Sequence, residues 1–499
     1  ASEDLDDAAT VWQLKVRCHA EVHVSVYRQR LVQEGAVLKN DQLLTDLAED
    51  FQLLVMPLET PSQKQIGNFL LYAERGDAAS VESYLKRPFP PDEVLPAQVP
   101  VQVPMYPAQG HQVPALRVAA AKGHVEVVQL LLLASADTDK ADQNEGTTVL
   151  HLASQSGHLD VLQRLLAAAA APDLEDLQGR SPLWIASQRG NGESVRALLS
   201  AKANMDAKSK SGRSPLWIAC SEGHLEVARQ LVEANANVNF SNVDGLSPLH
   251  ICAELGRSRL SRLLCEASGD VDLMDVGGQS PLWIASQFGK MEAVVVLLCA
   301  NAKLEVEDHL GRSPLWIACH EGQLDVARKL LGAKASVNVV DLDGRTPLRI
   351  CAELGHSQIA ELLLNDANAD VNLVDGSGRS PLWMAACYGR LKVMMALVAA
   401  QADVQKVTNA GRSALWIAAG TGHAAAVQFL LQLSADKEKT DDTGASPLWI
   451  ACSRNHAEVV RLLVQAGADQ NVTDHQGRSA RSIAFKPGKL EVLHALSSF

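Results

Sequence analysis

Aromatic side chains are scarce: Phe, Trp and Tyr together make up 4% of the 499 residues. Hydrophobic residues still reach 47%, with Ala and Leu dominating. That balance excludes a thick core built on rings and fits thin helical layers. Long apolar runs are missing, and no stretch approaches the roughly 20 residues that span a bilayer, so direct membrane insertion is not expected. Positive charge is in the minority, 45 Lys and Arg against 58 Asp and Glu for a net of −13, which argues against a nucleic-acid binder. None of the nine cysteines forms a C-x-x-C pair, so a zinc site is not expected. There is no phosphate-cradling Gly-rich loop, no H-E-x-x-H and no G-x-S-x-G. Catalytic residues, cofactors and metals are therefore all expected to be none, and an enzyme is not expected. Paired carboxylates such as Asp441-Asp442 lie in predicted turns, where their charge should simply be solvated.

What the sequence does have is one stretch used again and again. GRSPLWIA stands at Gly179–Ala186, Gly212–Ala219 and Gly311–Ala318. Its Ser-Pro pair or an equivalent falls at Ser181, Ser214, Ser247, Ser280, Ser313, Thr346, Ser380, Ser413, Ser446 and Ser479, in steps of 33 residues and a single step of 34 after Thr346. A fixed period in this range means a repeat array. Within one period, Ser214 predicts an N-cap, Pro215 a first helical residue and Gly223 a left-handed stop. Leu225, Val227, Ala228, Leu231 and Val232 have the spacing of a second, amphipathic helix. Asp244-Gly245 predicts a tight turn into the next unit. A pair of short helices cannot bury its own apolar face, so neighbouring units must stack.

These motifs resemble the ankyrin repeat family. The resemblance rests on G-x-S/T-P-L at the start of each unit, Gly-His in the middle, as at Gly123-His124, Gly157-His158, Gly223-His224, Gly355-His356 and Gly422-His423, and A-D/N-V-N at the end. It covers about four-fifths of the chain and recurs in register. The departure follows Pro-Leu, where the family has His. Here seven of eight tryptophans take that place, at Trp184, Trp217, Trp283, Trp316, Trp383, Trp416 and Trp449, while His151 and His250 keep the family residue and Arg349 replaces it once. The family's histidine hydrogen bonds are accordingly not carried over to the Trp units, and the Trp ladder is expected to pack between repeats.

The expected architecture is mostly α: an ankyrin-repeat solenoid of about 12 repeats plus a degraded first repeat, preceded by a small α+β N-terminal module. Residues 1–60 form that module, with a helix over Ala9–Cys18 and strands over Gln29–Val32 and Gln52–Leu58. The run from Arg28 through Leu47 is similar to the middle of a ubiquitin-like domain, through Val32, Gly35, Val37-Leu38, Leu43 and Leu44; a plain α+β cap on the array is the other reading. Residues 61–112 hold the degraded repeat, Ile66–Lys86, and most of a Pro-rich insertion, Pro88–Pro114, with eight prolines in 27 residues. That density favours extended backbone, read either as an enlarged inter-repeat loop or as a docking segment around Met105-Tyr106. Residues 113–499 form the array with a C-terminal cap after Gly477, weakened at Lys486-Pro487-Gly488. Residues 212–310 and 311–410 look like copies of one three-unit block: Cys220 matches Cys319, Cys252 matches Cys351, and Phe288 matches Tyr388.

What remains for function is surface. The resemblance implies that partners contact the projecting turns and the exposed side of the first helices. On the turns, Arg213, Arg312, Arg345 and Arg379 belong to an arginine ladder, read as an anion-seeking rim or as guanidinium groups held by Trp rings and turn carbonyls. Just before the stop glycines, Leu255, Phe288, Leu354 and Tyr388 would expose apolar surface flanked by Glu222, Glu254, Glu321 and Glu353, the pattern of a binding site. The expected function is a non-catalytic protein–protein interaction scaffold or adaptor that binds a partner along the groove and turns. The alternatives are a structural or linker subunit of a large assembly, or a regulatory inhibitor of an enzyme. The expected partners are proteins, with the chain a monomer or a subunit of a hetero-complex. The expected location is intracellular, in the cytoplasm first, because the cysteines read as reduced core thiols; a chain starting at Ala1 leaves room for a removed targeting segment.

Overall fold

The computed structural model describes residues 15, 29–33, 36–37, 52–56, 58, 60–87, 89–92, 114–485 and 489–497. Among them are 26 helices, which follow one another as 13 pairs, and three short strands. β1 (Gln29–Gln33) pairs antiparallel with both β2 (Ala36–Val37) and β3 (Gln52–Val55), in the order β2-β1-β3. The α+β module expected over 1–60 is not carried by the described residues. They hold the sheet, while of the Ala9–Cys18 helix only Lys15 is described, helical and buried. Leu43, Leu44 and Leu47, on which the ubiquitin-like likeness rests, lie outside the described residues.

The chain divides into two compact units, Ala1–Val243 and Asp244–Phe499. The first holds helix pairs starting at Gln63, Ala115, Val149, Pro182 and Pro215; the second holds pairs starting at Pro248, Pro281, Pro314, Pro347, Pro381, Ala414, Pro447 and Ala480. The degraded first repeat is a complete pair, Gln63–Arg75 and Ala78–Leu85, with Gly76 as its stop. Pro88 and residues 93–113 of the Pro-rich stretch lie outside the described residues, and Phe89 packs back on Phe69 with ring centroids 4.7 Å apart. The last pair is Ala480–Ala484 and Leu490–Ser497; Lys486-Pro487-Gly488 is outside the described residues.

Each pair forms for local reasons. The Ser214 hydroxyl accepts from Trp217 N at 3.2 Å, Pro215 opens the helix, and Gly223 ends it at φ 90°. The second helix, Leu225–Glu233, buries Val227, Ala228 and Leu231. The stop glycine has a second reason to be glycine. At Gly190, with φ 74°, a Cβ would come within 2.6 Å of the His224 ring of the next pair. His224 Nε2 lies 3.0 Å from Gln188 O, so this ring caps the helix before it. At four slots where His is absent another donor stands in: Asn191 to Ser154 O at 2.7 Å, Gln323 to Gln287 O at 3.3 Å, Arg390 to Glu353 O at 3.2 Å and Lys489 to Cys452 O at 2.8 Å. The last carbonyls of a helix have no partner within it, which is what the donor supplies.

Backbone bonds join successive turn tips, as in Leu177 N to Glu145 O at 2.8 Å, Leu342 N to Leu310 O at 3.0 Å and His475 N to Thr443 O at 2.9 Å. The extra residue of the 34-residue step sits after the helix Ser357–Asn365. There Ala369 N bonds back to Leu363 O at 3.0 Å, one residue further than the equivalent Ala335 N to Leu330 O bond at 3.0 Å. The wider turn absorbs the insertion and leaves both helices intact.

Candidate interaction surface

The residue after Pro-Leu is the third of its helix, which directs it at the following turn. Trp184, Trp217, Trp283, Trp316, Trp383 and Trp416 are buried there, and Trp449 is half-buried. Five of them donate Nε1 to a carbonyl 29 residues on: Trp184 to Arg213 O at 3.0 Å, Trp283 to Arg312 O at 2.9 Å, Trp316 to Arg345 O at 2.9 Å, Trp416 to Ala445 O at 2.9 Å and Trp449 to Arg478 O at 3.0 Å, whereas Trp383 Nε1 is buried without an acceptor. The retained histidines make the same link, His151 Nε2 to Arg180 O at 2.8 Å and His250 Nε2 to Gln279 O at 3.1 Å. The expectation that the Trp units lose the histidine's bonds is therefore half wrong. An indole N–H spans the same gap to the next repeat. What is lost is the backward bond, in which Ser247 N meets His250 Nδ1 at 3.2 Å.

Burial holds His151 and His250 below the ordinary imidazole range, against the opposing pull of the carbonyls of Arg180 and Gln279. A depressed folded pKa means that the unfolded chain takes up the proton first. These two residues thus contribute stability above pH ~6.5 that is lost as the pH falls below it. His151→Trp with His250→Trp is expected to flatten the urea midpoint between about pH 7 and pH 5. A slope equal to wild type would assign the dependence to other groups.

The ladder arginines are held by their own turns. Asp308, Asp341, Asp375 and Asp474 are buried, four residues before an arginine. Asp308 accepts from Leu310 N at 3.0 Å, from Arg312 N at 2.9 Å and from Arg312 Nε at 2.7 Å. Arg345, Arg379 and Arg478 each place Nε 2.7 Å from their own aspartate. Arg312 and Arg345 also lie 5.7 Å and 5.6 Å from the Trp316 ring. Two arginines differ, because Ser209 and Thr408 replace the aspartate. Arg213 stacks on Trp217 at 4.6 Å with its Nε unbonded, and Arg412 stacks on Trp416 at 4.7 Å and comes within 3.5 Å of Asp441. Asp441 corrects the expectation of a solvated carboxylate: it is buried and accepts from Thr443 N and Ala445 N, both at 3.0 Å, while Asp442 is exposed. The turn points two N–H groups inward, and the aspartate is what satisfies them.

At the ends of its first helices the second unit exposes Leu255 (42%), Phe288 (47%), Leu354 (37%) and Tyr388 (45%). All four occupy one repeat position, as two neighbouring pairs separated by the exposed Glu321. Glu254 and Glu353 are half-buried, one residue earlier. The Tyr388 hydroxyl donates to Glu353 at 3.4 Å, and the same carboxylate lies 3.4 Å from Arg349. His320 stacks on Trp316 at 5.4 Å and meets Glu321 at 2.9 Å. Glu222, exposed, and Arg213 belong to the first unit, not to the one that carries these four side chains.

A second exposed apolar set escaped the sequence reading. Met274, Val276, Leu310 and Leu342 (76%) stand on turn tips of the second unit. A signal was available, since the positions of Val276 and Leu342 carry Lys210, Asn409, Asp442 and His475 in other repeats. Among the described residues no group of His, Cys, Asp and Glu is placed to hold a metal ion, and no helix is long and apolar enough to cross a membrane.

Comparison with curated proteins finds no match. A family model for ankyrin repeats (three copies) matches residues 116–209, 198–275, 235–308, 263–341, 282–375, 367–441 and 432–498, which overlap to cover the array from end to end. With that match, and with Ser-capped, Gly-stopped helix pairs recurring at 33 residues, the chain belongs to the ankyrin repeat family.

Proposed function

We propose that the chain is a non-catalytic interaction scaffold whose second unit docks a protein partner over Leu255, Phe288, Leu354 and Tyr388. Ankyrin repeats are generally protein–protein interaction modules, and that sets the class. The observation carrying the finer reading is the pair of exposed apolar doublets at one repeat position, with Glu254, Glu321 and Glu353 around them. Arg312, Arg345 and Arg379 serve this surface by stiffening the turns; Arg213, without an aspartate of its own, keeps its charge for a partner. Residues 1–60 recruit a second protein in this reading, on the strength of the ubiquitin-like sequence pattern alone. Four buried free thiols, Cys220, Cys319, Cys351 and Cys452, support a reducing, cytoplasmic location.

Affinity capture with the full chain, read by mass spectrometry, tests the groove. Phe288→Ala with Tyr388→Ala is expected to lose the captured partner while helical circular dichroism stays unchanged. An unchanged captured set means that the groove is not the docking surface. A structural subunit of a larger assembly is the second reading, favoured by the turn-tip set at Met274, Val276, Leu310 and Leu342, because two contact faces suit a part held on more than one side. Such a subunit would come only with its complex, whereas an adaptor purifies alone.

A further inference from the structure

Most second helices of the second unit carry a polar residue at their outward fifth position, as at Arg262, Arg328, Glu361, Gln428 and Arg461, while Leu391–Ala399 carries the exposed Met395 there. The helix Met291–Cys299 also departs from this pattern, with Val295, and has Glu292 as its sole charged residue. A cleft of about 510 Å³ opens between it and the helix Leu324–Gly332, floored by Met291, Val295, Leu298 and Cys299. That volume is within the range of built binding pockets. Gly332, at its lip, has no steric reason to be glycine. Its φ is not left-handed and an added Cβ would meet nothing within 4 Å.

Around the helix Met291–Cys299 four exposed cations outnumber the exposed carboxylates Glu266, Glu292 and Asp325, although the chain as a whole carries −13. In the helix Ser258–Glu266, which packs on the other side of Met291–Cys299 from the cleft, Arg259 and Arg262 are exposed; at the cleft itself Arg328 and Lys329 are exposed. Within the described residues Arg259, Arg262 and Lys329 form no ion pair, and Arg328 has a single distant one, 4.0 Å to Asp366 with both side chains well exposed. Of the nearby carboxylates, Glu292 already accepts from the Ser258 hydroxyl at 2.9 Å.

We propose that this outer face is a docking groove for an acidic amphipathic helix of a partner protein. Its apolar stripe lies on Val295 and Leu298, one large side chain enters the cleft, and carboxylates on its two edges meet Arg259 and Arg262 on one side and Arg328 and Lys329 on the other. This is the helix-in-groove mode, with charge complementarity setting the sign of the partner. A membrane surface fits less well, because the apolar floor is recessed between two helices. The surface is distinct from the one holding Phe288 and Tyr388, so either can fail alone.

The full chain is used to select from a display library of amphipathic helices with randomised polar faces. Helices rich in Asp and Glu are expected, and the best of them, as a synthetic peptide, should slow maleimide labelling of the exposed Cys299. Gly332→Leu, which fills the cleft without adding charge, should weaken that peptide by about tenfold or more, as should Arg262→Glu with Arg328→Glu. Phe288→Ala should leave it unchanged. Basic or neutral selected helices, no selected helices, unprotected Cys299, or undiminished binding to either variant overturns the proposal. So does protection of Cys299 by equimolar phosphatidylserine and phosphatidylcholine vesicles in place of a peptide, which would assign the face to a membrane.

Discussion

Trp316→Ala is expected to lower stability by about 3–5 kcal/mol, the range for truncating a buried aromatic, read as a fall in the urea midpoint. The side chain is 2% exposed and among the largest fully buried groups of the chain. Truncation removes ring packing between two layers, the Nε1 bond to Arg345 O at 2.9 Å, and the surface on which Arg312, Arg345 and His320 lie. A repeat array is held by the interfaces between its neighbours, so the loss acts on two layers at once. Trp316→His should recover part of it, because His250 makes the equivalent bond in its own repeat. An unfolding curve that superimposes on wild type would mean that the ladder does not hold the layers together.

Asp375→Ala should cost about as much, roughly 3–5 kcal/mol, for an electrostatic reason. Asp375 serves two arginines, Arg379 Nε at 2.7 Å and Arg349 at 3.2 Å, and Arg349 is itself 3% exposed. Burial alone would raise the Asp375 carboxyl, but the N–H groups of Arg379 and Ser377 with the two guanidinium groups hold it below the usual carboxylate range. Removing it leaves a buried cation with only Glu353, 3.4 Å away, and leaves two turn N–H groups without acceptors. Asp474→Ala removes the same turn bonds but strands no second arginine, and should cost clearly less. Restoring tryptophan, as Arg349→Trp with Asp375→Ala, should recover most of the difference between the two. Equal losses for Asp375→Ala and Asp474→Ala would show that Arg349 does not depend on Asp375.

The groove doublets were legible because their exposure follows from repeat position: Leu255, Phe288, Leu354 and Tyr388 end helices whose other side is fixed by the Pro-Leu pair and by the buried His250, Trp283, Arg349 or Trp383 after it. The arginine ladder was legible as a ladder but not as a set of ion pairs. Its aspartates lie four residues upstream, and their burial depends on how the turn folds inward. Val295 and Gly332 read as ordinary members of an apolar helix and a helix end until the neighbouring helices showed what surrounds them.

By itself the sequence determined the number of layers, their period and the start and stop of almost every helix. Caps, prolines and left-handed glycines act within a few residues, so their effect is written where they stand. Only the tertiary structure decided which polar groups are inside and which apolar groups are outside. Those outcomes rest on partners 29 or more residues away, such as the carbonyl of Arg345 that meets the Trp316 indole and the His224 ring that fills the space above Gly190. Stacking brings such groups together, and spacing along the chain carries no record of which of them will meet.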